Sequence, residues 1–401
     1  MSSLTQSWTL DSSNNDAVDD IQQLLLNVPG HIFVSADPAA AFKLQVTTNT
    51  QAVLDSIQLG TELGSPLLQI GSNANAFNPN TFPNATFLAE LTVPAHRLQG
   101  VECAGSGACV VGRGTHTIDQ DLALKASGAG TLFVSTDDVS LRFATVENTG
   151  SGTVQWAAQR LAAQSLAVKT SGSGSVSIQS TAEIVPQTLT SQVDGTGSVY
   201  YTGSPLNVPT ITSTVTGAGN ITFQPTAITG THNISVEGSG GVYAGSLVSQ
   251  NTSVDVSGSG RVVVKALHAL YTSGGGNVAY LDAAPAILES KTSFWNHGPV
   301  LTSVNYFVPF TTAVAPAHDA AKVGVEVLPT AAPLFTAIPT TKAVAVPSVS
   351  QGGPGAVVPA QGNGFGTLLW FLGGLGVAVV VVIVLLRRHI ANKHKEYTPV
   401  K

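Results

Sequence analysis

The chain has 401 residues, enough for one large domain or two ordinary ones, and only 10% of them are charged. Gly, Ser, Thr, Val and Ala are abundant, which suits an all-β repeat protein and argues against a coiled coil. The net charge of −6 supplies no basic patch, so nucleic acid is excluded as an expected partner.

Residues 1–30 form a lead-in. Met1 is followed by polar Ser2-Ser3-Leu4-Thr5-Gln6-Ser7, with neither a basic n-region nor an apolar h-region, so no signal peptide is visible. Residues 31–100 alternate apolar and polar positions. Strands are expected at 31–35, 43–48, 66–70 and 86–93, with an Asn/Pro-rich loop at about 71–83. This segment reads as a strand-rich N-terminal cap, because a stack of repeats needs an atypical end to shield its core and strand edges.

From 101 to 306 a Gly-x-Gly pair returns nine times, from Gly105/Gly107 to Gly274/Gly276, in steps of 23, 22, 22, 23, 22, 21, 20 and 16 residues. The residues two and four beyond each second glycine are apolar, as in Leu132 and Val134, Val154 and Trp156, Val199 and Tyr201. Another alternating run precedes each pair, as in Leu122-x-Leu124 and Leu166-x-Val168. Each glycine pair therefore sits at a bend between two half-buried strands. Glycine suits such a bend through its access to positive φ, and because stacked bends leave no room for a Cβ. Hairpins closed by glycine turns are the alternative. The steady repeat length and the lack of Asn-Gly turns favour a β-solenoid of about nine coils with two or three strands each, roughly 40 Å tall at strand spacing.

Two outward columns follow from this register. Lys125, Glu147 and Lys169 lie three residues before their glycine pairs and form a solvated ladder of opposite charges. Phe133, Gln155, Ser177, Tyr200, Thr222, Tyr243, Val263 and Ala279 lie three residues after theirs. Its aromatics Phe133, Tyr200 and Tyr243 are candidate ligand-binding residues, able to stack on sugar rings or on a partner protein; scattered strand-forming aromatics are the plainer reading. Cys103 and Cys109 flank the first glycine pair at inward positions, within reach of a disulfide that would staple the first coil; a pair of buried thiols is the alternative.

Residues 307–364 are rich in Pro, Ala, Thr and Val and read as a stalk. Residues 365–386 carry no charge and are long enough to span a bilayer as one helix, with Trp370 near one interface and Arg387 and Arg388 at the other. The charge bias puts the tail 387–401 in the cytoplasm and the repeats outside, at the plasma membrane. With no signal peptide visible, an outside head implies that the true N-terminus is missing from this sequence; the alternative is a tail-anchored scaffold with cytosolic repeats. Tyr397-Thr398-Pro399-Val400 fits a tyrosine-based sorting signal. Asn84, Asn220, Asn233 and Asn251 begin Asn-x-Ser/Thr sequons, the glycosylation candidates.

No dinucleotide fingerprint, phosphate loop or zinc motif is present, so no cofactor and no metal are expected. The enzyme alternative is a polysaccharide-cleaving β-helix using Asp137 and Asp138 with the Asn296-His297-Gly298 motif, but these lie some 160 residues apart.

Leu67-Leu68-Gln69-Ile70 and Leu91-Thr92-Val93-Pro94, followed by Ala126-Ser127-Gly128-Ala129-Gly130, Thr170-Ser171-Gly172-Ser173-Gly174 and Val256-Ser257-Gly258-Ser259-Gly260, resemble the head GIN domain family of auto-transporter adhesins over roughly residues 31–290. The resemblance implies a right-handed β-helix, a surface location and no catalytic residues. The expected protein is a single-pass membrane protein whose head binds surface carbohydrate or protein without catalysis. A coat protein with no specific ligand is the structural alternative.

Overall fold

The computed structural model describes residues 3–10, 20–38, 41–61, 65–72, 84–203, 205–292, 298–306 and 308–322. Within them the glycine-marked repeats form a β-solenoid of about nine turns, with every coil paired to the next in parallel. Strands Thr131–Asn148, Thr153–Thr170 and Val176–Val193 each run 18 residues around a whole coil. Pairing between the first two skips Asp137 and Arg142, which divides a coil into three walls at 131–136, 138–141 and 143–148. The alternating apolar residues Leu132, Val134, Val139, Leu141, Ala144 and Val146 all point into the core. No single coil can bury that face alone, and stacking supplies the missing neighbours.

Stacked interior columns carry the packing. Trp156, Ile178, Tyr201 and Phe223 occupy one inward register position on successive coils. Tyr201 and Phe223 stack with ring centroids 4.9 Å apart and planes 7° apart. Their polar atoms are satisfied inside: Trp156 Nε1 donates to Thr136 Oγ1 (3.0 Å), and the Tyr201 hydroxyl lies 2.6 Å from Ser191 Oγ.

At the bends from Gly130 to Gly260, the N–H of the second glycine donates to the carbonyl of the first glycine one coil earlier, while Gly107 and Gly276 donate to Val28 O and Val256 O. Gly152 to Gly128, Gly174 to Gly150 and Gly240 to Gly217 all measure 3.1 Å. A Cβ on Gly152 or Gly174 would overlap the carbonyl oxygen of Gly130 or Gly152, well inside 3.0 Å. Close stacking is therefore the reason for glycine. The positive-φ reason offered above fails for these bends: of the nine pairs only Gly274 has positive φ, at 87°. Two buried side chains cap carbonyls that the bend turns inward: Asn148 Nδ2 donates to Gly152 O (2.6 Å) and Thr170 Oγ1 to Gly174 O (2.8 Å).

The four strands expected in the N-terminal segment are present as His31–Asp37, Phe42–Thr48, Leu67–Ser72 and Thr86–Pro94. The ladder itself runs on through residue 100. Strands Gln23–Asn27 and His31–Asp37 pair in parallel with Gly100–Cys103 and Ala108–Val111 on one side, and with Leu67–Ser72 and Thr86–Pro94 on the other. The spatial order is thus 67–94, then 23–37, then 100–111, so the chain lays its second coil before its first. Parallel pairing ends at 67–94. Phe42–Thr48 joins Thr86–Pro94 antiparallel, Leu4–Leu10 joins Phe42–Thr48, and Ile57–Thr61 joins Leu67–Ser72. The one-turn-plus helix Gln51–Ser56 buries Val53 and Leu54 beside them. These antiparallel strands are the cap proper, and they cover the edge of the last parallel coil.

Candidate functional site: a strapped wall

The outward column that begins with Phe133 is one register position carried across the whole stack. Parallel pairing extends it through Val110 and Phe33 to Glu90 at the capped end, and through Ala279 to Val300 at the other. This wall does not face solvent. Phe133 and Tyr200 are only 7% and 6% exposed, and Thr222 and Val263 are fully covered. Tyr243 is half-buried.

The cover is the chain's own segment beyond the last strand. Asn305 Nδ2 donates to Ser246 Oγ (2.9 Å). The Arg261 guanidinium lies 3.9 Å from the Tyr306 ring centroid. Phe310 packs on Tyr200 with centroids 4.6 Å apart. With its nitrogen turned toward the carbonyl, the Gln155 amide donates to Ala313 O (3.2 Å) and accepts from Ala313 N (3.1 Å), reading main chain rather than side chain. His318 Nε2 stands 3.0 Å from Glu90 Oε1, and its ring lies 4.4 Å from that of Phe33. Ala321 and Lys322 then pair antiparallel with Phe87 and Thr86.

The lengths agree with a taut strap. From the coil of Val263 to that of Phe33 is eight coil spacings, about 38 Å, and the twelve residues from Tyr306 to His318 span about 40 Å when extended. Pro309 and Pro316 suit that geometry, because proline holds an extended backbone and has no N–H to leave unpaired. Burial under the strap pushes the Tyr200 phenol above its ordinary pKa.

The first part of the expected stalk, 308–322, is therefore seated on the head rather than extended away from it. Sequence reasoning missed this, although a signal was there: Val304, Tyr306, Phe307, Val308 and Phe310 form an apolar cluster unlike a solvated linker.

The other candidate residues fall as follows. Cys103 and Cys109 form a disulfide with Cα atoms 6.2 Å apart, both buried, as the inward register implied. Lys125 and Glu147 are register neighbours, and Lys169 follows on the next coil. The ion pairs made are Lys125–Glu102 (3.3 Å) and Lys169–Asp194 (3.2 Å). Asn84, Asn233 and Asn251 are exposed, while Asn220 is half-buried with its N–H donating to Ser198 Oγ (3.0 Å). Asp137 is held by Arg113 at 2.8 Å, and Asp138 is exposed on the same wall edge. Asn296 and His297, the apolar run 365–386 and the motif at Tyr397 and Val400 lie outside the described residues. Among the described residues no helix is long and apolar enough to cross a membrane.

Three buried histidines, His31, His116 and His232, were not singled out from the sequence. His232 lies in the core with Nε2 2.9 Å from Ser213 Oγ and its ring edge-on to Phe223. His116 is also buried, near the start of the stack. Burial without a compensating charge lowers the pKa of His232 to about 3 and that of His116 to about 4.

The fold and site define a parallel β-solenoid strapped along one wall by its own C-terminal segment. Residues 26–205 match the family described as "Putative auto-transporter adhesin, head GIN domain". Three crystal structures are similar to the chain. A "putative adhesin" from Parabacteroides merdae shares 12% identity at a TM-score of 0.42, covering 75% of this chain and 96% of that one. A "putative adhesin" from Parabacteroides distasonis shares 13% identity at a TM-score of 0.38, with the same coverage. A "putative lipid binding protein" from Parabacteroides distasonis shares 13% at 0.35, covering 75% and 97%. No curated protein matches the chain.

Proposed function

We propose that this chain is a non-catalytic, adhesin-like display head of the cell surface, held at the plasma membrane by the single span 365–386 with the tail 387–401 in the cytoplasm. The observation that carries this reading is the match of residues 26–205 to the adhesin head family. The apolar run before Arg387 and Arg388 supports the tether. The Cys103–Cys109 disulfide supports an oxidising compartment. Exposed Asn84, Asn233 and Asn251 are available for glycosylation, and Tyr397 with Val400 serves retrieval from the surface. The coils wind right-handed, the hand that parallel crossover connections take. In this reading Phe133, Tyr200 and Tyr243 act on an extended polypeptide laid along the wall, as Tyr200 acts on Phe310. Repeats on the cytosolic side of the same span would convert the reading to a tail-anchored scaffold.

The test is topology. An epitope tag at Ser2 of the full-length protein is stained on intact and then on permeabilised cells. Staining of intact cells, with a glycosidase-sensitive shift in mass, is the expected result. Staining only after permeabilisation, with no such shift, contradicts the surface reading.

A further inference from the structure

We propose that the wall around Ser140, Ala162 and Val185 is a binding trough for a neutral oligosaccharide. The proposal holds wherever the head is displayed, and it does not involve the strapped wall.

Register builds the trough. Ser140, Ala162 and Val185 are neighbours on three successive coils and form its floor. One rail is the column Asp138, Arg160 and Glu183. The other is the corner column Arg142, Gln164 and Gln187, one residue beyond the paired Leu141, Ala163 and Pro186. The trough has a volume of about 520 Å³. It covers two coil spacings, about 10 Å, which is room for about two sugar rings. Its cations are already placed. Arg142 Nε and Nη2 donate to the two carboxylate oxygens of Asp121, both at 2.8 Å, and Arg160 pairs with Glu183. Such pairs add little stability in water, but they hold the guanidinium groups in position and leave further N–H groups for a ligand.

The chemistry selects a neutral sugar. The floor offers a flat, mostly apolar patch to the C–H face of a pyranose ring. The rails offer amides, guanidinium groups and carboxylates to the hydroxyls around its rim. The corner column repeats once per coil, close to the length of one sugar unit, so successive rings meet equivalent groups. Asp119 at one end of the trough and Asp138 on the rail add negative charge beyond the two ion pairs, which disfavours carboxylated or sulfated chains. A polypeptide is disfavoured too. The floor is the interior of a ladder, with 160–163 paired to 138–141 on one side and to 183–186 on the other, so it has no strand edge to offer an extended chain. Phe143 stands at the corner beside Arg142, whose guanidinium carbon lies 5.5 Å from the ring centroid. That ring is 49% exposed, and its register neighbours Ser165 and Thr188 are too small to cover it. Its open surface can stack on a sugar ring at the edge of the trough.

The test is a calorimetric titration of the full-length protein, kept in solution by a detergent without a sugar headgroup. The probes are tetrasaccharides of the glucan, mannan, galactan and chitin types, with tetragalacturonate as the charged comparison. At least one neutral probe should bind saturably with a dissociation constant of about 1 mM or tighter, and tetragalacturonate should bind at least tenfold more weakly. Gln164→Ala/Gln187→Ala should weaken the neutral sugar at least tenfold, and Phe143→Ser several-fold. Gln250→Ala, in the same corner column but three coils beyond Gln187, should leave binding unchanged. All four side chains are exposed, so these truncations leave the core intact. No saturable binding of any neutral probe up to about 10 mM overturns the proposal. So does binding that the Gln164→Ala/Gln187→Ala variant leaves unchanged, because the sugar then sits elsewhere. Tighter binding of tetragalacturonate than of every neutral probe overturns it as well.

Discussion

His232 sits where the fold can hold it only as a neutral ring. It shares a register position with Ile211, faces Phe223 edge-on and has one hydroxyl, Ser213 Oγ, within hydrogen-bonding distance. Its pKa falls to about 3, and that of buried His116 to about 4, both by desolvation. A lowered histidine pKa means that the unfolded chain takes the proton first. The stability contribution is full above the unfolded value near 6.5 and is lost as pH falls through it toward the folded values, by about 1.4 kcal/mol per pH unit for each ring. Denaturant midpoints should therefore drop between pH 7 and pH 5, and the drop should shrink by about 2 kcal/mol in His232→Leu. A variant with the wild-type pH dependence would show that the ring is not the responsible group. This residue was legible in principle. The alternation His232, Ile234, Val236 puts it inward on the same rule that placed Leu132 and Val134. What the pattern did not show was how a polar ring is accommodated there, because Ser213 comes from another coil.

The glycine bends are the clearest case at the scale of the element. Their period was readable at once, and with it the parallel stack, because the repeat length is a local property of the chain. The physical role of the glycines was only half readable. Backbone freedom was one expected reason, yet the bends other than Gly274 lie outside positive φ, and the constraint comes from the carbonyl of the coil beneath. A methyl group at Gly152 has only backbone to displace, so Gly152→Ala should cost about 3 kcal/mol or more in urea unfolding. Gly71→Ala, in open space, should stay within about 0.5 kcal/mol of the wild type. Equal effects at the two positions would show that the bends are looser than their stacking distances imply.

Across the whole molecule, the missed features are those that depend on distant partners. Leu24 and Leu26 alternate as a strand should, but nothing near them says that they stack between a coil formed later in the chain and the first glycine-marked one. The Pro/Ala/Thr composition beyond residue 306 favours an extended backbone. Where the extended segment lies is decided by Tyr200, Gln155, Arg261 and Glu90, spread over about 170 residues of sequence and collected into one column by the solenoid register. The column was readable as a set of outward residues, but its occupant was not.

The seating of that strap is the claim on which the wall and its covered aromatics depend. A double-mutant cycle in thermal unfolding of the full-length protein, with Tyr200→Ala, Phe310→Ala and both together, measures it directly. The stacked rings should give a coupling of about 0.5–1.5 kcal/mol, with the double variant less destabilised than the sum of the singles. Single effects that add to within about 0.3 kcal/mol would contradict a strap resting on Tyr200.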